Sequence, residues 1–197
     1  MKKLLLTSLL ICSFVTAYGQ GRVAFANTSL TLITTNDTRI GGASGNTATV
    51  AGLYTFGLYV GVAGSSSNQL VLNITGANNA GSGRFSGGSP APLAAPFDGG
   101  GSPLAFQIRA WSSFAGSTYE AAVIAAQLNP NVYFGASAIG QVTPTLSPTA
   151  QAPLFGAAAP LLTTGWVLSN VSAVPEPSSI ALGLLGLGAV AFFRRRK

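Results

Sequence analysis

The sequence predicts a mainly β protein: a single β-sandwich-like domain with one short helix, flanked by an N-terminal signal peptide and a C-terminal transmembrane helix. Three observations predict it. Residues 53–62 and 104–111 alternate apolar and small or polar side chains with period two, the mark of strands. The stretches between such runs are rich in turn residues, with 25 Gly and 11 Pro in the chain. The charges gather at the two ends and leave the middle nearly free of them.

Met1-Lys2-Lys3 is a basic start, followed by an apolar run over residues 4–15. Ala17 and Gly19 place small residues where a signal peptidase requires them, so cleavage before Gln20 is expected. Cys12 lies inside the apolar run after Leu10-Ile11, without the small residues of a lipoprotein signal, and leaves with the peptide. The signal peptide is read as residues 1–19 and the exported body as 20–173. That length can bury a core of its own.

Within the body, residues 22–26 and 30–34 read as short strands around Asn27-Thr28-Ser29, and 36–49 as a polar loop. Residues 53–62 read as a strong strand with Tyr54, Phe56, Leu58, Val60 and Val62 on one face. A strand at 70–74 follows. Residues 104–111 put Leu104, Phe106, Ile108 and Ala110 on one face, and Gln107, Arg109 and Trp111 on the other. Tyr54, Phe56, Leu58, Val60, Phe106 and Ile108 are the expected core. Ser117-Thr118-Tyr119-Glu120 fits a capping box, with a helix over 121–128 stopped by Asn129-Pro130. Strands are expected at 132–134, 139–143 and 166–171. Residues 87–103, dense in Pro and Gly, read as a long loop, and 143–160 as an extended connector.

At the C-terminal end Pro175 and Pro177 hold Val174, Pro175, Glu176 and Pro177 extended, with Glu176 as a lone charge. Ser178 and Ser179 can cap a helix. Residues 180–193 carry no charge, and Arg194, Arg195, Arg196 and Lys197 form a basic stop. Counted from 178 to 193, that helix would span roughly 24 Å at ~1.5 Å per residue. This is short for a bilayer core of about 30 Å, so the basic side chains would snorkel. The positive-inside rule puts that end in the cytoplasm.

This tail, residues 174–197, resembles the PEP-CTERM sorting tail of bacterial exported proteins. The resemblance implies an exosortase-type membrane transpeptidase as partner, transient residence in the inner membrane, and delivery to the cell surface or extracellular matrix. Body segments also resemble small PEP-CTERM proteins: Gly-Gln-Gly-Arg-Val-Ala-Phe-Ala-Asn at 19–27, Gly83-Arg84-Phe85-Ser86-Gly87-Gly88, and Phe106-Gln107-Ile108-Arg109-Ala110-Trp111 followed by Ser117-Thr118-Tyr119-Glu120-Ala121. That likeness implies a β-rich domain and no known activity.

Composition narrows the chemistry. The formal net charge is +6, yet Lys2, Lys3 and Arg194–Lys197 supply six of the ten cations. The body sets Arg22, Arg39, Arg84 and Arg109 against Asp37, Asp98 and Glu120, so no basic patch for nucleic acid is expected. With no histidine, and no cysteine or lysine in the body, the usual triads, thiolate nucleophiles and histidine-bound zinc are excluded. Asp98 and Glu120 are the one carboxylate pair to consider for glycoside hydrolysis. Asp98 reads as a turn residue and Glu120 as part of the capping box. No catalysis, cofactor or metal site is expected. Arg84 and Arg109 read as surface or loop-pairing residues. Trp111 and Tyr59, on the less apolar faces of their strands, are the possible glycan contacts if exposed, or a second buried face if not. Asn27, Asn36, Asn73 and Asn170 head N-x-[ST] tripeptides. The expected function is an exported envelope or matrix protein with a structural or adhesive body, in contact with extracellular polysaccharide. The alternative is a secreted carbohydrate-binding module.

Overall fold

The computed structural model describes residues 20–35, 50–80 and 83–170. The expected signal peptide, the loop at 36–49 and the tail at 174–197 lie outside the described residues. Among those described, the strands are β1 (Arg22–Ala26), β2 (Thr34–Thr35), β3 (Tyr54–Val62), β4 (Val71–Asn78), β5 (Phe85–Pro92), β6 (Leu104–Ser112), β7 (Tyr133–Ala136), β8 (Gly140–Val142), β9 (Ala152–Pro153) and β10 (Val167–Asn170). One α-helix, α1 (Tyr119–Ala126), precedes β7. No helix among them is long and apolar enough to cross a membrane.

The two strands with the clearest alternation are the centre of the sheet. β3 and β6 pair antiparallel without a break, from Tyr54 opposite Ser112 to Val62 opposite Leu104. This register puts Tyr54, Phe56, Leu58 and Val60 on the same face as Phe106 and Ile108, and every one of the six is at most 1% exposed. Val62 continues the alternation past the core and is 67% exposed.

The mainly β fold with one short helix is as expected, but the sandwich is corrected. All ten strands join one sheet, in the order β2-β10-β7-β6-β3-β4-β5-β1-β9, with β8 also paired to β6. The sheet curls, because side chains from both of its ends meet in one core. Leu168 on β10 packs in the same cluster as Val23 and Phe25 on β1. Trp166, just before β10, lies 6.4 Å from the ring of Phe85 on β5. The curled sheet covers its own inner face, as a second sheet would in a sandwich. Leu154 and Phe155 of the expected connector, and Leu162 just after it, add to that cover.

Burial of the outer face explains why all of β6 is buried. There Tyr59, Leu70, Ala105 and Trp111 form a second cluster beneath Ala122 and Ala126 of α1 and Val132. A small residue at each helix contact lets α1 lie close on the sheet.

Two local expectations are also corrected. The strand expected at 30–34 is reduced to β2, because the break at 27–29 runs on into a turn closed by Thr31 on Thr28. Asn27 causes this: its buried amide donates to the Thr31 carbonyl at 2.9 Å and to the Gly83 carbonyl at 2.8 Å, while its oxygen accepts from the Phe85 N–H. That amide is thereby committed to the fold. Residues 87–103 are not one loop, since β5 runs into them. The Gly-rich strand is needed by its neighbour. A Cβ on Gly87 would stand 2.1 Å from Phe25 Cδ1, so the ring of β1 fills the space a side chain would take.

Candidate functional site

The outer face of the sheet builds a depression. β6 directs Gln107 and Arg109 outward, β3 directs Tyr59 beside them, and α1 crosses above with Tyr119 and Glu120. Gly57, opposite Arg109 in the register, is required here. A Cβ on it would meet Leu72, Tyr59 and Trp111 side-chain atoms at 2.8–3.0 Å.

Arg109 organises the group. Its guanidinium lies 4.0 Å from the ring centre of Tyr59 and 5.5 Å from that of Tyr119. Nη1 donates to Glu120 Oε1 at 2.6 Å, Nε donates to Gln107 Oε1 at 3.0 Å, and Nη2 donates to the Ser67 carbonyl and hydroxyl. The side chain is 9% exposed, against 57% for Glu120. A desolvated charge held by a counter-ion and fixed acceptors is costly to disturb and holds its partners rigidly. Of the two expectations for Arg109, the surface position is corrected, while pairing with a loop holds through Ser67. The signal was present: two polar residues, Gln107 and Arg109, alternate on a strand whose other face is apolar from Leu104 to Ala110.

Glu120 is corrected as well. The helix N-cap is Thr118, whose hydroxyl accepts from the Ala121 N–H at 3.2 Å. Thus Ser117 does not cap, and Glu120 does not close a capping box. Its Oε2 instead accepts from the Tyr59 hydroxyl at 3.0 Å. The same hydroxyl accepts from the Tyr119 N–H at 3.3 Å.

Tyr59 and Trp111 are not exposed, at 2% and 0%. The Trp111 ring N–H donates to the Gly116 carbonyl at 2.9 Å. Their role as exposed stacking platforms is thus corrected in favour of the second buried face. Arg84 is exposed. Asp98 lies in the β5–β6 loop, where its carbonyl accepts from the Gly21 N–H, and it does not line the depression. The carboxylates of the considered pair are therefore not brought to one site. Gln20 is exposed, while Ala17, Gly19, Val174, Pro175, Glu176, Pro177 and Arg194–Lys197 lie outside the described residues. No group of three or more potential metal ligands occurs among the described residues.

Beside the Arg109 network a groove of 610 Å³ opens between α1 and the turn at Ser67–Gln69. Leu70, Val123, Ile124 and Ala136 supply its apolar lining, and Asn68, Tyr119 and Glu120 its polar rim.

Burial pushes the Tyr59 hydroxyl up to about 12, reinforced by the Glu120 carboxylate and opposed by the Tyr119 N–H and Arg109. Burial also raises Tyr119. A phenol that stays protonated longer when folded contributes stability in full below pH ~10, and loses it as pH rises through about 12. Unfolding midpoints should therefore fall above pH ~10 in the wild type and fall less in Tyr59→Phe. Equal alkaline losses in the two proteins would show that Tyr59 does not carry the effect.

Residues 173–197 match the family model of the PEP-CTERM protein-sorting motif. No curated protein and no solved structure matches the chain. The expected resemblance of the tail is thereby established, and the chain carries the motif by which such proteins are sorted through exosortase to the cell envelope.

Proposed function

From a chain that carries a PEP-CTERM sorting motif, we propose an exported envelope protein whose body is a non-catalytic structural or adhesive module. The match of residues 173–197 carries the reading. In this reading signal peptidase releases Gln20. The apolar stretch at 178–193 then holds the chain in the inner membrane, and an exosortase-type transpeptidase engages Val174, Pro175, Glu176 and Pro177. The body then rests at the cell surface or in the matrix, against extracellular polysaccharide. What supports a non-catalytic body is its residue set, without histidine, cysteine or lysine. Asp98 and Glu120 also stand apart, and Glu120 is tied to Arg109 and Tyr59.

The test separates recognition from anchoring. Glu176→Gln with Pro177→Ala leaves residues 180–193 and the basic stop intact, so membrane insertion should hardly change. The variant should accumulate unprocessed in the inner membrane of the native host, as the wild type should in a host lacking its exosortase. Fractionation with mass spectrometry of the C-terminus reads this out. Identical processing of variant and wild type would reduce the segment to a linker and the tail to an ordinary anchor.

A further inference from the structure

We propose that the groove between α1 and the Ser67–Gln69 turn binds a neutral pyranose unit of a glycan, an inference that rests on the adhesive reading of the body. The argument begins with charge. Glu120 is the acid of the groove and Arg109 its cation, and they are paired at 2.6 Å. The local field is neutral, so neither a phosphate nor an ammonium gains from entering. A neutral ligand loses little on leaving water.

The second point is hydrogen-bonding capacity. A carboxylate offers about four acceptor directions. Glu120 uses one for Arg109 and one for Tyr59 while remaining 57% exposed. It therefore has open acceptor positions in a side chain already locked in place. Asn68 engages its oxygen with the Ser66 hydroxyl, and its amide nitrogen donates to nothing among the described residues. The Tyr119 hydroxyl has no hydrogen-bond partner among them either. The rim thus offers one fixed acceptor group, Glu120, and free donors on Asn68 and Tyr119. A hydroxyl both donates and accepts, so adjacent ring hydroxyls can satisfy Glu120 and Asn68 together. Because the Glu120 side chain is held in advance, little rotamer freedom is lost on binding.

The third point is the floor. Leu70, Val123 and Ile124 offer aliphatic surface to the C–H face of a saturated ring. Ile124 is 64% exposed on the groove side of α1. The volume of 610 Å³ lies within the range of small-molecule pockets.

The experiment uses the full chain, held in a detergent without a sugar headgroup. Methyl glucoside, methyl galactoside, methyl mannoside and cellobiose are titrated with NMR detection of the Val123 and Ile124 methyls. Saturable shifts with at least one neutral sugar in the millimolar range are expected, with methyl glucuronide weaker. Asn68→Ala and Ile124→Gln change exposed side chains and should keep the wild-type melting midpoint. Each should weaken binding about tenfold or more, equivalent to about 1.4 kcal/mol. No methyl shifts with any of the neutral sugars, or shifts unchanged in both variants, would overturn the proposal. Retention of the wild-type protein on cells is measured in parallel. Retention without sugar binding removes the groove from the account and leaves the adhesive reading standing. Loss of retention with binding intact removes the adhesive reading instead.

Discussion

Phe56→Ala is expected to destabilise the body by about 3–5 kcal/mol, the usual cost of removing a fully buried aromatic ring. Phe56 is 0% exposed at the middle of β3. It stacks on Phe85 at 4.2 Å with the planes 4° apart, and meets Trp166 edge-on at 6.5 Å. Phe85 in turn contacts Phe25 and Phe155. These partners come from strands and segments far apart in the sheet order, so the ring stands where the curl closes. Its loss leaves a cavity that no single strand can collapse to fill. Urea unfolding of the full chain, followed by tryptophan fluorescence, measures the effect. The two tryptophans report on opposite faces, Trp166 against the inner core and Trp111 in the outer cluster. A coincident shift of both signals is expected of one cooperative unit. A loss below about 1 kcal/mol would mean that the inner face does not close on Phe56.

Arg109→Ala should cost about 3–5 kcal/mol, and Glu120→Ala about half as much. The asymmetry follows from burial. Removing Arg109 takes one donor each from Gln107, Ser67 and Glu120 and leaves the faces of Tyr59 and Tyr119 uncovered. Removing the half-exposed Glu120 admits water to Nη1, which offsets part of the loss. Arg109→Met refills the volume without the charge and should recover part of the stability, as apolar replacements of buried ion pairs often do. Denaturant midpoints of the three variants decide the order. A cost below about 1 kcal/mol for Arg109→Ala would show that the network does not fasten α1 to the sheet.

Features that depend on local pattern or direct chemical recognition can be read from the order of residues alone. The period-two alternation of residues 54–60 and 104–110 settles which side chains face the core, since a one-residue slip would turn each to the other face. The tail motif was equally legible, because a short extended segment before an apolar run and a basic stop needs no tertiary partner to be read. How the sheet closes depends on contacts between distant segments. β5 looked like a loop because its Gly and Pro content disfavours a strand, yet the ring of Phe25 fills the space over Gly87 and makes that composition necessary there. β2 shrank because Asn27 diverted the backbone hydrogen bonds of the preceding turn to itself. The site followed the same logic. Arg109 and Glu120 are eleven positions apart on different elements. Their pairing depends on where α1 crosses the sheet, and that crossing is set by the packing of Ala122 and Ala126 over Trp111 and Tyr59. No local propensity records such a contact, because its energy exists only once burial removes the competing water.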